Sequence, residues 1–421
     1  MTRTPRPELT CRARFIIYLV TAIMDMVVGT ILFVVPVRAA QLGTPYFLVG
    51  ALGVSWAAGT AAMSFIVGRF VTSRNAALLG IAGCTAQAAC CACLALTATA
   101  EMMFPFLVLS GISHITYMAP YQVVLKEADA AIKKSLSSSV GVYTFAWSMG
   151  MAFGPLWSGF LIKAVGWWNI QGWQWCFIFT IAASLAVAGA IYYLRRFIRA
   201  TDGKEVPRQD DGRPDFAKVA WFSAFCGAFA FSLVRGLFPA AALNIGVGED
   251  VQGGVIFCMG FLQAISGLLL ARWRHWVYHP VALVVLGALG AAGMTCFLAG
   301  FSGMAANGWL IALFFLGALL FGIYSGSFYF YTVYHALVHP TRAGFNIGIN
   351  EGMFATANIA SLLFGGIISD LLGTDLPYLF AGVLIVLFTL VQTGFHRRNP
   401  WPRRCGVRRS PISARQGIAE R

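Results

Sequence analysis

Charged side chains are scarce in this sequence, and acidic ones are the scarcest. Only 11% of the 421 residues are Asp, Glu, Lys or Arg, whereas ordinary soluble domains carry about 25%. Hydrophobic residues make up 58% of the chain, and the mean hydropathy is +0.73. A chain with this balance has too little polar surface for a soluble fold. Its composition excludes an ordinary soluble protein and indicates one that resides in a lipid bilayer.

The motifs of nucleotide-driven and catalytic proteins are also missing. No Gly-x4-Gly-Lys-Ser/Thr loop is present, which excludes ATP hydrolysis by this chain. The longest gap between apolar stretches, 195–218, is too short for a soluble catalytic domain. We therefore expect neither enzyme activity nor a cofactor. An integral-membrane enzyme that uses His114, or the pair His335 and His339, stays an alternative, although no converging catalytic set accompanies these residues.

Cysteine and histidine form no recognisable disulfide or metal pattern. The ten cysteines lie inside apolar stretches or in the tails, so we expect free thiols that pack as small groups. The Cys90-Cys91-x-Cys93 cluster lacks the Cys-x-x-Cys spacing of many metal sites. His335 and His339 have a spacing that zinc uses on a helix, but no third ligand lies nearby. We expect no bound metal.

Long apolar stretches are abundant, each near the length of about 20 residues that crosses a bilayer as a helix. Twelve are recognisable in the sequence, at 14–36, 45–68, 75–99, 103–125, 138–162, 174–194, 219–243, 253–271, 279–301, 308–334, 345–368 and 376–395. The chain is therefore predicted to be an all-α polytopic membrane protein.

The basic residues predict the orientation of these stretches. Lys and Arg, apart from Arg38, Lys163 and Arg235, fall in the two tails or after the even-numbered stretches. By the positive-inside rule, those gaps and both termini are predicted to be cytoplasmic, in a multi-pass protein of the plasma (inner) membrane. The formal net charge of +14 is therefore explained by the basic residues that orient the spans in the membrane. The expected surroundings are lipid, and nucleic acid is not an expected partner.

The sequence contains two copies of one unit. A Pro-x6-Gly-x6-Gly pattern begins at Pro36 and again at Pro239, a displacement of 203 positions that also relates Arg69 to Arg272. Because each copy has an even number of spans, both enter the membrane in the same direction, which defines parallel repeats. The predicted parts are an amino-terminal six-helix bundle (1–194), a cytoplasmic linker (195–218), a carboxyl-terminal six-helix bundle (219–396) and a basic cytoplasmic tail (397–421).

The fifth stretch carries a regular series of small residues. Glycines at intervals of four let a neighbouring helix approach closely, and a proline frees a backbone carbonyl at a bend. The series consists of Gly141, Gly150, Gly154, Pro155 and Gly159. It fits the pattern Gly-x8-Gly-x3-Gly-Pro-x2-Gly-Gly, with Ser158 at the first of the last two glycines. With the six-plus-six layout, this motif resembles the major facilitator superfamily over nearly the whole chain.

That resemblance implies a secondary transporter whose first, fourth, seventh and tenth helices line a central cavity. Two family motifs are altered here. Gly68 and Arg69 fit the signature between the second and third stretches, but Thr72 replaces its Asp and Asn75 its second Gly. The Asp helps to latch the two bundles in the family, so a weaker or different latch is implied. In the fourth stretch, Leu107 stands where proton antiporters of the drug-efflux type carry Arg. The complete mechanism of those antiporters is therefore not implied for this chain.

Three charged residues lie inside apolar stretches, where a charge is costly and usually functional. Asp25 is central in the first stretch, Arg235 lies in the seventh and Glu351 in the inner part of the eleventh. We expect Asp25 to bind a proton or cation, Arg235 to bind an anionic group or to act as an outer gate, and Glu351 to modulate coupling. Each has a structural alternative: a carboxylate bonded to a neighbouring helix, an Arg that reaches the interface, and a Glu at the cytoplasmic boundary.

Neutral polar side chains form a second set of candidates for hydrogen bonding a ligand. They are His114 and Tyr117 in the fourth stretch, Gln263 in the eighth, Tyr324 and Ser325 in the tenth, and Asn350 in the eleventh. For a single His inside a span, the structural alternative is a hydrogen bond to a neighbouring helix.

We predict a secondary transporter that moves a small organic solute by alternating access and is coupled to protons. Two acids and one base in the spans favour a cationic or zwitterionic solute. We expect it to act as a monomer. The alternative from a different class is a transporter-like membrane sensor or scaffold without transport activity, which the altered latch signature keeps open.

Overall fold

The structure is a computed structural model that describes residues 11–72, 74–131, 136–164, 170–195, 216–302, 308–338 and 343–399. All regular structure in these ranges is helical. The α-helices are α1 Cys11–Gln41, α2 Tyr46–Phe70, α3 Ala76–Leu94, α4 Met103–Ala131, α5 Leu136–Lys163, α6 Gly172–Leu194, α7 Ala217–Gly236, α8 Phe238–Asn244, α9 Glu249–Leu270, α10 Pro280–Phe301, α11 Gly308–Val338, α12 Ala343–Leu372 and α13 Leu376–Arg398. A short 3₁₀ helix covers Arg274–Tyr278.

Twelve segments of the described chain are long and apolar enough to cross a bilayer. They contain 19 to 29 residues. With a rise of about 1.5 Å per residue, even the shortest spans most of the roughly 30 Å hydrocarbon core. Helices suit this setting because they satisfy their own backbone hydrogen bonds. Large apolar side chains such as Leu185, Leu390 and Val391 are exposed on the outside. The predicted all-α polytopic class is confirmed.

The helices form two bundles of six spans each. Helices α1–α6 pack against one another, as do α7–α13, in which α7 and α8 share one span. Because the number of crossings is even, α1 begins and α13 ends on the same side, which we call the terminal face. The opposite side is the far face. The bundles meet along two seams, α5 against α9 and α2 against α12.

The seventh span is broken, although the sequence predicts one continuous helix over 219–243. Helix α7 ends at Gly236, and α8 begins at Phe238 with Pro239 in its first turn. Because proline has no N–H, the carbonyl of Arg235 loses the donor that a continuous helix would provide four residues later. The break therefore falls directly after a charged residue.

The internal repeat extends to backbone conformation. Gly43 and Gly246 have φ angles of +72° and +85°, in the left-handed region that glycine adopts without a Cβ penalty. In both loops, the N–H of the residue after the glycine donates to the carbonyl five residues earlier, at 3.1 and 2.9 Å. The next repeat glycines, Gly50 and Gly253, each face a backbone carbonyl across a seam between the bundles. Equivalent residues therefore make equivalent contacts.

The altered signature after α2 forms a local turn. Gly68 and Arg69 lie in the last turn of α2. The Thr72 N–H donates to Oδ1 of Asn75 at 2.7 Å, and Nδ2 of Asn75 donates to the carbonyl of Phe70 at 2.7 Å. Within the described residues, the Thr72 and Asn75 side chains bond only inside this turn. They do not connect the two bundles.

Some predicted features lie outside the described residues. They are the linker interior at 196–215, the tail at 400–421, and His339. The cysteines from Cys84 to Cys296 are free thiols. In the part of the chain that the structure describes, no three His, Cys, Asp or Glu residues are grouped as metal ligands would be.

Candidate functional site

A cavity of about 460 Å³ lies between the two bundles. This volume falls within the range of small-molecule sites, about 300–1,000 Å³. Its walls come from α1, α2, α4 and α5 in the first bundle and from α7, α11 and α12 in the second. The charged residues that line it are Asp25, Arg235 and Glu351. All three charged candidates from the sequence therefore face one space.

Asp25 has no hydrogen bond or ion pair within the described residues, although its side chain is half-buried. The Cβ of Asp25 lies beside Gly150, so that a Cβ added there would be 3.0 Å away. Asp25 interacts electrostatically with Arg235, Tyr117 and Tyr143. An unpaired carboxylate is expensive at membrane depth, so this group is available for a proton or a cationic ligand.

Arg235 lies on the last turn of α7, where the span breaks. Its Nη2 is 3.5 Å from Sδ of Met151 on α5, and its guanidinium lies 5.1 Å from the ring centre of Phe231. No carboxylate lies within 4.0 Å of it in the described part of the chain, so Asp25 and Arg235 interact through space without forming a contact ion pair. Because one of the five guanidinium N–H groups donates to the thioether and the ring face takes none, the other donors are open to a ligand.

Glu351 is the most exposed of the three charged residues. Its helix, α12, leaves open space at Gly348 and Gly352, where an added Cβ would meet nothing within 4 Å. Glu351 interacts electrostatically with Tyr143 and Tyr329. Tyr143 also interacts with Asp25 and Tyr329 with Arg235, and both tyrosines line the cavity with these charges.

Aromatic rings form much of the cavity wall. Tyr329 stacks on Phe354 with centroids 5.1 Å apart, and it meets Trp147 edge-on at 4.9 Å and Phe231 edge-on at 5.6 Å. Trp147 belongs to the first bundle and the other three rings to the second, so this cluster joins the bundles. Ring faces attract cations through their quadrupole, and these rings line the same cavity as the two acids.

The wall formed by α2 and α4 carries no charge and has a few polar side chains among apolar ones. Trp56, Thr60 and Ser64 follow one another at helical spacing on α2, and His114 faces them from α4. Trp56 and His114 pack with ring centres 5.4 Å apart. His114 is buried, and in the part of the chain that the structure describes its Nδ1 and the Nε1 of Trp56 are buried atoms without a hydrogen-bond partner.

Five of the six predicted neutral candidates, Ser325 among them, do not line the cavity. Gln263 is buried in a bridge between helices, where its Nε2 donates to Ser148 at 2.8 Å and its Oε1 accepts from Ser325 at 3.0 Å. The other three are buried in the helix packing and are Tyr117, Tyr324 and Asn350. Of the neutral set, the structure places only His114 in the cavity wall.

Tyr117, Tyr324 and Asn350 each have a local environment that explains their burial. The Tyr117 hydroxyl reaches the carbonyl of Val20 on α1 at 3.5 Å. The Tyr324 ring packs between Phe321 and Phe328. Asn350 is adjacent to Glu351, and its Oδ1 has no partner. A residue's position in an apolar stretch does not reveal which face of the helix it occupies, and the sequence alone did not separate these residues from His114.

The small residues of α5 allow two other helices to pack closely against it. Gly150 and Gly154 face α1, and an added Cβ at Gly154 would lie 2.6 Å from both the Met26 carbonyl oxygen and the Thr30 nitrogen. Gly141 and Gly159 face α9 on the other side. Helix α5 stays continuous through Pro155, which leaves the carbonyl of Met151 without its usual donor beside the cavity.

Four polar contacts close the far face between the bundles. The Asp370 carboxylate accepts the N–H groups of Tyr46 and Phe47, at 2.9 and 2.8 Å. The Tyr46 hydroxyl accepts from Asn244 at 2.6 Å. The remaining two are Lys163 Nζ to Asp250 at 2.6 Å and Gln41 Nε2 to Glu249 at 3.1 Å. Each joins one bundle to the other, so the cavity is shut on this side.

The cavity extends toward the terminal face. Its lining reaches Ser64 and Gln122 in the first bundle and Gly348 in the second. Gly348 and Glu351 are exposed. The molecule is therefore closed at the far face and open along a path toward the terminal face.

Several lining residues were not found by sequence reasoning. They include Trp56, Tyr143, Trp147, Phe231, Tyr329, Phe354 and Asn358. Aromatic residues are common throughout these spans, with 34 Phe, 12 Trp and 13 Tyr in the chain, so their type carried no information about the cavity. Asn358, which hydrogen bonds Ser232 on α7, is the one residue of these seven that is not aromatic.

Comparison with known proteins identifies the fold. A family profile described as Major Facilitator Superfamily matches residues 15–340. A bacterial homologue of the human lysosomal transporter Spinster, in an inward-facing and unoccupied conformation, has a TM-score of 0.70 at 14% identity, over 93% of this chain and 99% of that one. The inward-facing and occupied conformation gives a TM-score of 0.67 at 13% identity, over 94% and 98% of the two chains. No curated protein sequence matches significantly.

Proposed function

The chain belongs to the major facilitator superfamily and is a membrane transporter, and from its cavity we propose that it moves a small organic cation or zwitterion by proton-coupled alternating access. The observation that carries this proposal is the Asp25 carboxylate, which lines the cavity and has no hydrogen bond or ion pair within the described residues. Asp25 and Glu351 outnumber Arg235 among the charged lining residues. Aromatic side chains line the same cavity, and ring faces favour organic cations.

The proposed roles follow from position. Asp25 is the deep group that holds either a proton or the cationic part of the solute. Arg235 tunes Asp25 through their electrostatic interaction, and it is free to bind the anionic group of a zwitterion. Glu351, on the path to the terminal face, relays or modulates the proton. Tyr143 and Tyr329 complete the polar path between these groups.

The orientation is part of the proposal. The positive-inside rule puts the terminal face in the cytoplasm, in the plasma (inner) membrane, with both termini inside. The conformation described here is then inward-facing. Transport requires the four far-face contacts to break while the terminal face closes. We propose that one chain, acting as a monomer, completes this cycle.

The test is solute-induced proton movement in proteoliposomes. Wild type, Asp25→Asn and the control Asp375→Asn are challenged with a panel of organic cations, zwitterions, sugars and organic acids. We expect a cation or zwitterion to move protons in wild type and Asp375→Asn but not in Asp25→Asn. Asp375 is a suitable control because it lies at the start of α13, outside the cavity lining.

Each other outcome has a separate meaning. Equal proton movement in all three proteins would remove Asp25 from the coupling step. Solute accumulation without proton movement would contradict proton coupling. Saturable solute binding without flux would favour the sensor or scaffold alternative.

A further inference from the structure

Asn358 on α12 is an amide in the cavity wall that keeps unused donors. Ser232 Oγ on α7 donates to Oδ1 of Asn358, and both residues line the cavity. Within the described residues, Nδ2 of Asn358 makes no hydrogen bond, and it is not one of the buried side-chain atoms without a partner. Its two N–H groups are therefore accessible at the cavity wall. An amide nitrogen donates and does not accept, so a ligand at this point must offer an acceptor.

Arg235 presents free donors close to the same point. It lies three residues after Ser232 on α7, and residues three apart are neighbours on a helix surface. Its guanidinium lies 5.1 Å from the ring centre of Phe231, the residue before Ser232, so the side chain turns back along α7 toward the level of Ser232. In the described chain, Nε and Nη1 make no hydrogen bond and are not among the buried unpartnered atoms.

The packing of α7 against α12 sets the levels of these groups. Both helices run from the terminal face toward the far face. Ser232 bonds Asn358, and one turn further a Cβ added at Gly236 would meet the Leu362 side chain. Because both steps are four residues long, the two helices advance together. Arg235 starts about 4.5 Å beyond the level of Asn358, and its side chain turns back over that distance.

A carboxylate is the acceptor that these donors favour. A guanidinium presents its N–H groups in a planar fork that matches a carboxylate, and hydrogen bonds to an ionised partner are stronger than neutral ones. The Asn358 amide adds uncharged donors for the same anion. One guanidinium in a cavity that also holds Asp25 and Glu351 matches a single negative charge, which favours a carboxylate over a phosphate.

We infer that Arg235 and Asn358 form a carboxylate subsite, with Ser232 as the positioning residue for the amide. This inference rests on the proposed function and narrows its substrate class to zwitterions. The ammonium end of the solute lies toward Asp25, and its carboxylate end lies against α7 and α12. Asn358 is then a specificity residue, because a simple cation leaves its amide and the guanidinium without an anion.

The test uses matched probes that carry a fixed positive charge. They are 4-(trimethylammonio)butanoate, 6-(trimethylammonio)hexanoate and 8-(trimethylammonio)octanoate, each paired with its methyl ester. Esterification removes the negative charge, and the different lengths vary the separation between the two ends. Binding is measured by calorimetry on purified protein in lipid nanodiscs. We expect wild type to bind at least one carboxylate about tenfold more tightly than its ester, which corresponds to about 1.4 kcal/mol.

The variants separate the amide from the charge. Asn358→Leu is expected to reduce the carboxylate preference to about threefold or less, while its wild-type affinity for the ester shows that it is folded. Asn358→Asp keeps the shape and the acceptor for Ser232, and should bind the ester more tightly and the carboxylate more weakly. Ser232→Ala should lower the preference without changing the ester affinity. The control Asn346→Leu makes the same change at a buried position of α12 outside the cavity lining and should keep the preference.

Failure of the inference differs from failure of the proposed function. Equal binding of every carboxylate and its ester by wild type would overturn the subsite and leave the cation site standing. So would a preference that survives unchanged in Asn358→Leu or in Asn358→Asp. Absence of binding of all these probes to wild type would contradict the proposed substrate class, and the subsite with it.

Discussion

Asp25 and Gln263 are both polar residues inside apolar helices, yet their surroundings differ. Gln263 is buried, and both ends of its amide bond to serines on other helices. Asp25 faces the cavity, with no hydrogen bond or ion pair within the described residues. A polar group that is fully paired inside the protein stabilises the helix packing. One that is left unpaired beside a cavity is available to a ligand.

The positive charge of Arg235 is expected to oppose cation binding. Arg235→Gln removes a like charge from a cavity that also holds Asp25 and Glu351, so a quaternary ammonium ion should bind about tenfold more tightly, which corresponds to about 1.4 kcal/mol. The measurement is the Kd of (4-phenylbutyl)trimethylammonium. Arg272→Gln, an exposed position just past α9, makes the same charge change outside the cavity and should have no effect. Weaker binding in Arg235→Gln would instead indicate that Arg235 supports cation binding through its electrostatic interaction with Asp25.

Gln263 is expected to affect stability and not binding. Gln263→Met keeps the side-chain length but leaves the Ser148 hydroxyl without its partner, so the free energy of unfolding should fall by about 1–2 kcal/mol. The Kd of the quaternary ammonium probe should not change. Thr295→Val, which removes an exposed bond within α10, should change stability by less than about 0.5 kcal/mol. A large loss of affinity with unchanged stability would instead show that Gln263 takes part in binding, as the sequence predicts.

At the scale of elements, α5 is central to the packing of the two bundles against each other. It packs against α1 within its own bundle and against α9 in the other, and its small residues face both partners. Membrane helices associate through close packing because lipid supplies no hydrophobic drive between them. The spacing of the glycines is therefore a packing requirement as well as a family motif.

Adding one methyl group on the α1 side of α5 should disturb this packing. In Gly154→Ala the new Cβ would lie 2.6 Å from backbone atoms of α1, so that α1 and α5 must separate. We expect the free energy of unfolding to fall by about 1–3 kcal/mol, measured on the purified protein. The matched control is Gly189→Ala on α6, where an added Cβ meets nothing within 4 Å. Equal stability of the two variants would contradict the close-packing role.

At the scale of the whole molecule, polar contacts at the far face reinforce the two seams between the bundles. The carboxylate of Asp370, in the second bundle, binds the first two N–H groups of α2 in the first. Helix α2 has Pro45 at its start and no side-chain cap of its own, so Asp370 supplies the acceptor across the seam. Lys163 and Asp250 bridge the other seam at the same face. Opening of the far face must break both.

Removal of the Asp370 carboxylate is expected to favour the far-face-open state. The loss of a capping acceptor costs roughly 1 kcal/mol, which corresponds to about a fivefold larger open population. Hydrogen exchange should therefore speed up in Asp370→Ala at the first turn of α9, 249–253, which Asp370 does not contact. Asp375→Ala removes a carboxylate from the same face and serves as the control. Faster exchange confined to the start of α2 would indicate local fraying without opening.

The sequence by itself determined the membrane class, the number of spans, the repeat and the presence of three charged residues inside the spans. These features depend on composition, length and spacing, because a bilayer demands about 20 apolar residues per helix and penalises every charge left inside. None of these features depends on contacts between residues that are far apart in the sequence.

Only the tertiary structure decided which neutral residues meet the cavity. Nearly every face of these helices is apolar, so no periodic pattern distinguishes the lipid side from the cavity side. His114 and Gln263 are both single polar residues inside apolar stretches. The rotation of each helix about its axis places His114 in the cavity wall and Gln263 between two serines of other helices. The break after Arg235 and the contacts of Asp370 with α2 likewise depend on how the two bundles meet, which no local stretch encodes.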